Sequence, residues 1–120
     1  MDDARKADGR YGEDLAAAFF VSKGFQIIDR NWTHRLGEID LIVEREGEVR
    51  FIEVKFRRTR MFGHPEEAIT GAKLRHLERA IFCWLEQRHT APRVYQADAL
   101  AITALPGQEI EYWWIENLFG

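Results

Sequence analysis

Gly37-Glu38-Ile39-Asp40-Leu41-Ile42-Val43, then Glu46-Gly47, then Val49-Arg50-Phe51-Ile52-Glu53-Val54-Lys55 is the stretch that decides the fold of this chain. Two apolar, partly β-branched runs flank a short polar break containing glycine, which predicts a β-hairpin. A turn centred on Glu46-Gly47, with Arg45 facing Glu48, sets Asp40 opposite Glu53 and Glu38 opposite Lys55. Side chains alternate along a strand, so Glu53 and Lys55 share a face, as do Glu38 and Asp40. Opposed Cβ atoms lie about 4.5–5.5 Å apart. The register therefore gathers carboxylates and one lysine on a single patch, and a one-residue slip would scatter them.

Like charges opposed across a sheet destabilise it, and carboxylates among apolar residues must be paired, protonated or bound to a cation. Mg²⁺ is suited by one or two carboxylates together with phosphate oxygens. Lys55 would act beside such an ion as a point charge, on a phosphate or an attacking water. The pattern suits metal-assisted phosphodiester hydrolysis. Glu-x-Lys by itself is common in a chain with 13 Glu and 4 Lys, and a solvated charged face on an edge hairpin needs no chemistry. What decides between these readings is the cover over that face.

At 120 residues the chain has the length of one domain with a sizeable core. Residues 1–8, polar and charged, read as a flexible N-terminal arm, and 9–120 as one domain. No apolar run approaches the ~20 residues of a transmembrane helix, and Met1–Lys6 lacks a secretory core. The single cysteine, Cys83, excludes an internal disulfide and a cysteine-rich zinc site. A cytoplasmic location and no membrane association are expected. The net charge of −3 argues against indiscriminate coating of DNA, so nucleic-acid affinity would rest on local basic patches.

Outward from the hairpin, a helix is expected from Asp8 or Gly9 to about Lys23, with Leu15, Ala18, Phe19 and Ser22 on one face and Ala16, Ala17 and Phe20 broadening it. Glu13 shares a row with Ala17 and Phe20, as a third carboxylate for the patch or as an acid favoured by the helix dipole. Phe25–Trp32 reads as the first strand, and Thr33–Leu36 as a link in which His34 lacks a partner for metal binding. Arg57-Arg58-Thr59-Arg60, bracketed by Phe56 and Phe62, forms a basic, aromatic loop with His64 beyond it. Pro65-Glu66-Glu67 reads as a helix start, and Thr70 caps a renewed helix to about Gln87 whose basic stripe carries Lys73, His76 and Arg79. Strands follow at Arg93–Thr103 and Ile110–Ile115, with a crossover long enough for a right-handed βαβ unit. Trp113-Trp114 sends one indole to each sheet face, which leaves one for the surface or for a homodimer contact.

Gly9-Arg10-Tyr11-Gly12-Glu13, Asn31-Trp32, Gly37-Glu38-Ile39-Asp40-Leu41-Ile42, Phe51-Ile52-Glu53-Val54-Lys55-x-Arg57 and Phe62-Gly63-x-Pro65 together resemble the bacterial YraN family of endonuclease-like proteins. The resemblance runs from about Gly9 to Phe119. That family looks related to the restriction-endonuclease-like superfamily, which includes archaeal Holliday-junction resolvases. It implies an α/β, restriction-endonuclease-like core with a mixed sheet of about five strands flanked by helices. Its metal-binding acids fall on Asp40 and Glu53, its lysine on Lys55 and its helix glutamate on Glu13. The superfamily often has proline before the first acid, where this chain has Ile39.

The expected activity is an Mg²⁺- or Mn²⁺-dependent endodeoxyribonuclease selective for branched DNA. Asp40, Glu53, the Val54 carbonyl and Glu13 serve the metal, and Glu38 supports them. Lys55 orients water or stabilises transition-state charge, while Arg57, Arg58, Arg60, Lys73 and Arg79 hold phosphates. The alternatives are a non-catalytic nucleic-acid-binding or adaptor protein that retains the fold, and a dimerising protein that uses the Trp113-Trp114 edge.

Overall fold

The computed structural model describes residues 2–59, 69–88, 91–92 and 94–120. In chain order the elements are α1 (Asp2–Ser22), β1 (Gln26–His34), β2 (Gly37–Arg45), β3 (Glu48–Arg57), α2 (Gly71–Glu86), β4 (Val94–Thr103) and β5 (Glu111–Ile115). The hairpin forms at its expected turn. Glu46 and Gly47 both take positive φ, +53° and +81°, as a primed two-residue turn requires to match strand twist. The β2–β3 ladder runs from Arg45↔Glu48 to Leu41↔Ile52 in the predicted register.

The strands form one sheet in the order β1-β2-β3-β4-β5. Only β3 and β4 are parallel, because α2 carries the chain back across one face between them. On that face α2 packs Leu77, Ala80, Ile81 and Trp84 against Ile39, Ile42, Val49, Phe51 and Ala97. On the other, α1 packs Ala16 and Phe20 against Leu41, Val43, Ile52, Leu100 and Ile102. This is the expected α/β architecture, consistent with a restriction-endonuclease-like core.

Two expectations for α1 need correction. The helix begins at Asp2, so the backbone of the supposed arm is helical. Alanine, arginine and lysine, the residue types at positions 4–7, are good helix formers. Its buried line runs through Ala16 and Phe20, while Ala18 and Ser22 face solvent; Phe19 sits at the margin, stacked on Tyr112. The helix closes at Gly24 (φ +91°), where Gly24 N–H donates to the Val21 carbonyl and Phe25 N–H to that of Phe20, the paired bonds of a glycine-terminated helix end. Thr70 caps α2, accepting from Lys73 N–H at 3.2 Å. The expected helix start at Pro65–Glu67 lies outside the described residues, as do Arg60 and His64.

Candidate metal centre and nucleic-acid cleft

On β3, Phe51 packs on the α2 side while Ile52, Val54 and Phe56 pack on the α1 side. Alternation therefore aims Glu53 and Lys55 toward α2. On β2 the alternation breaks: Ile39 belongs to the α2-side core and Leu41 to the α1-side core, although residues two apart on a regular strand share a face. The break falls at Asp40. Its neighbour strand distorts at the same level, where Asn31, between the pairs Arg30↔Leu41 and Trp32↔Ile39, takes φ +50°.

The expected pairs Asp40–Glu53 and Glu38–Lys55 are consequently not rungs of the ladder, which ends at Leu41↔Ile52. Asp40 Oδ2 instead accepts the Val54 N–H at 2.8 Å, so its carboxylate occupies the place a β2 carbonyl would take. The acids still converge. Burial pushes the Asp40 carboxyl from 3.8 up to about 7, the charges of Glu53 and Glu38 add to the rise, and the Val54 amide and Lys55 oppose it. Lys55 Nζ lies 3.0 Å from Glu53 Oε1, and the two side chains are only 17% and 20% exposed.

Because α2 covers this face, it brings a second lysine. Burial works against the Lys55 ammonium, but contact with Lys73 and the charges of Glu53 and Asp40 outweigh it and raise its pKa. Lys73 is lowered by the same contact with Lys55, by burial and by the positive charges of Lys55 and Arg57. Both lysines line the same cleft. The space between α2 and the β1–β2 turn is a cleft of about 470 Å³, with Glu53 and Lys55 at its floor, Lys73 and His76 on one wall, and His34, Arg35 and Glu38 on the other. Gly37 allows this closeness: a Cβ there would lie 2.6 Å from the His76 carbonyl oxygen.

Other predicted residues lie elsewhere. Glu13 does not line the cleft. It stands on α1 beside Gly12, where a Cβ would meet the Phe56 side chain at 2.7 Å, and its Oε1 is buried without a hydrogen-bond partner. Arg58 pairs with Asp8 at 3.0 Å and lies over the Tyr11 and Phe56 rings, tied to α1. Arg79 is exposed on α2, outside the cleft.

Among the described residues no three His, Cys, Asp or Glu side chains form a ready metal cage. The donors present nonetheless suit an oxygen-seeking cation. Asp40 and Glu53 carry mutually destabilising charge, and Mg²⁺ habitually takes one or two carboxylates and fills its shell with water and phosphate oxygens.

A second charged cluster is structural. Arg50, 7% exposed, and fully buried Asp98 pair at 2.8 Å, and Glu48 and Glu116 complete the guanidinium's partners. Burial works against the Arg50 cation, yet bonds to Asp98, Glu116 and Glu48 outweigh it and raise its pKa. Asp98 also accepts from Gln96, Trp114 Nε1 and the Asn117 amide, leaving no oxygen for a ligand. In sequence, neither Arg50 nor Asp98 stands out from other strand charges.

The uncharacterised protein family UPF0102 matches residues 12–102, a span that starts beside Glu13 and includes every cleft residue. The chain belongs to this family, the YraN family of the sequence resemblance. UPF0102 proteins similar to it come from Neisseria meningitidis serogroup C, 38% identical over 93% of this chain and 94% of the relative, and from Renibacterium salmoninarum, 43% identical over 84% and 86%. Another, from Syntrophomonas wolfei, is 41% identical over 72% and 73%. Family membership carries no named activity. No helix among the described residues is long and apolar enough to cross a membrane.

Proposed function

We propose that this protein is a divalent-metal-dependent phosphodiesterase acting on DNA, with Asp40 and Glu53 as metal-binding acids and Lys55 as the charge beside the scissile phosphate. One observation carries the reading: Asp40, its carboxylate bonded to the Val54 amide at 2.8 Å, stands next to a Glu53–Lys55 pair that lines an accessible cleft. Buried carboxylates in structural roles find cationic partners, as Asp98 does. Among the described residues Asp40 has one amide donor and a lysine shared with Glu53, a deficit that a cation removes.

When bound, Mg²⁺ or Mn²⁺ supplies Lewis-acid polarisation of the phosphate and a more acidic water. The Val54 amide fixes the Asp40 carboxylate in rotation. Glu53 holds the Lys55 ammonium at 3.0 Å, where it faces the cleft and neutralises charge growing on phosphate oxygen. Arg57, Lys73 and Arg79 attract the sugar-phosphate chain. Glu13 would enter only if its side chain swings from α1 toward the strand ends.

The test is cleavage of linear, flapped and four-way DNA in Mg²⁺ and Mn²⁺, with Glu53→Ala alongside. Loss of cleavage in a folded Glu53→Ala protein supports the assignment; equal cleavage by both proteins overturns it. The basic side chains lining the cleft, Arg35, Lys55 and Lys73, also suit a second reading, a DNA-binding adaptor without catalysis. That reading expects salt-sensitive binding indifferent to Asp40→Ala and no cleavage in either metal.

A further inference from the structure

We propose that the cleft seats one unpaired nucleotide, with its phosphate between Lys55 and Lys73 and its base against His34, so that the preferred DNA presents single-stranded chain. This rests on the hydrolase reading only for the identity of the polymer. The cleft is deep. Glu53 and Lys55 are about four-fifths covered and sit at the floor of a 470 Å³ space. That volume is in the range, about 300–1,000 Å³, that encloses one small-molecule-sized group. A phosphate on a continuous duplex rides a stiff convex surface, and bringing it to a recessed carboxylate requires the nucleotide to leave the stack. That cost is least where the strand is already unpaired.

Lys55 and Lys73 both line the cleft, with His76 and Arg35 on its walls and Glu53 as the carboxylate paired to Lys55. A phosphate between the ammonium groups replaces a repulsion with two charge-assisted bonds. The His34 ring lies nearly parallel to Trp32, 7° between planes and 5.9 Å between centroids, and its Nδ1 accepts the Leu36 N–H at 3.2 Å. Fixed from behind and at its edge, His34 offers the cleft a flat face, and stacking on such a face accepts any base.

The experiment is fluorescence anisotropy in EDTA, so that nothing is cut, using a labelled single strand, the same strand in a blunt duplex, and a duplex with a single-stranded flap, all at one salt concentration. The single strand and the flap are expected to bind about tenfold more tightly than the blunt duplex. His34→Ala and Lys73→Ala should each remove most of that preference, with thermal melts showing both variants folded. Duplex binding as tight as the single strand overturns the proposal, as does a preference untouched by both substitutions. The two readings fail separately. Cleavage without single-strand preference sinks this inference alone, and preference without cleavage in Mg²⁺ or Mn²⁺ sinks the hydrolase reading alone.

Discussion

Replacing Asp40 with Asn tests whether the site stores unfavourable charge. The amide keeps an oxygen for the Val54 N–H but cannot ionise. In the native protein the Asp40 carboxyl lies at about 7, raised from 3.8 by burial, Glu53 and Glu38. A raised acid binds its proton more tightly in the folded state. Stability from that proton is fully present below the unfolded value, declines as pH rises, and is gone above about pH 7. The interval, at about 1.4 kcal/mol per pH unit, corresponds to about 4 kcal/mol. Relaxation of Glu53 and Lys55 reduces it, and Asp40→Asn is expected to stabilise by about 2–4 kcal/mol at about pH 8.5 and by little near pH 4. For a chain of this length that is a Tm rise of roughly 6–16 °C, found only at high pH. Calorimetric melts of both proteins across this range in EDTA would measure it. Adding Mn²⁺ at about a hundred times its Kd should then stabilise the wild type by about 2.7 kcal/mol and leave Asp40→Asn unmoved. A difference between the proteins that stays constant across pH would refute the reasoning.

Further outcomes follow from individual contacts. Gly37→Ala drives a Cβ to 2.6 Å from the His76 carbonyl, so α2 must shift, and urea unfolding should show a loss of about 1–3 kcal/mol. Glu46→Asn relieves a left-handed residue in the hairpin turn and should raise the urea midpoint by about 0.5–1 kcal/mol equivalent with an unchanged m-value. Arg50→Met strips the buried Asp98 charge of its cation and should cost about 3–5 kcal/mol in the same assay.

The hairpin, its register from Arg45↔Glu48 to Leu41↔Ile52 and the crossover were legible in the chain because each has a local cause. Gly47 accepts the positive φ the turn needs, apolar residues alternate on either side, and Thr70 accepts the Lys73 amide. The start of α1 was less legible, since Ala4–Ala7 are polar in pattern yet good helix formers. The face that α1 buries was also misjudged: Ala16 or Ala18 could each serve as contact, and packing of Ala16 with Phe20 on Leu41, Ile52 and Leu100 selects one.

From sequence alone, Asp40, Glu53 and Lys55 could be placed near one another, because strand pairing turns spacing into distance. What tertiary packing decided is how they meet. Asp40 leaves the ladder to take the Val54 amide, α2 rather than α1 covers the Glu53–Lys55 face, and Lys73 arrives against Lys55 from a helix separated from it by a long connection. Burial and charge proximity depend on what lies across space, and no local pattern in a chain encodes the cover that another element provides.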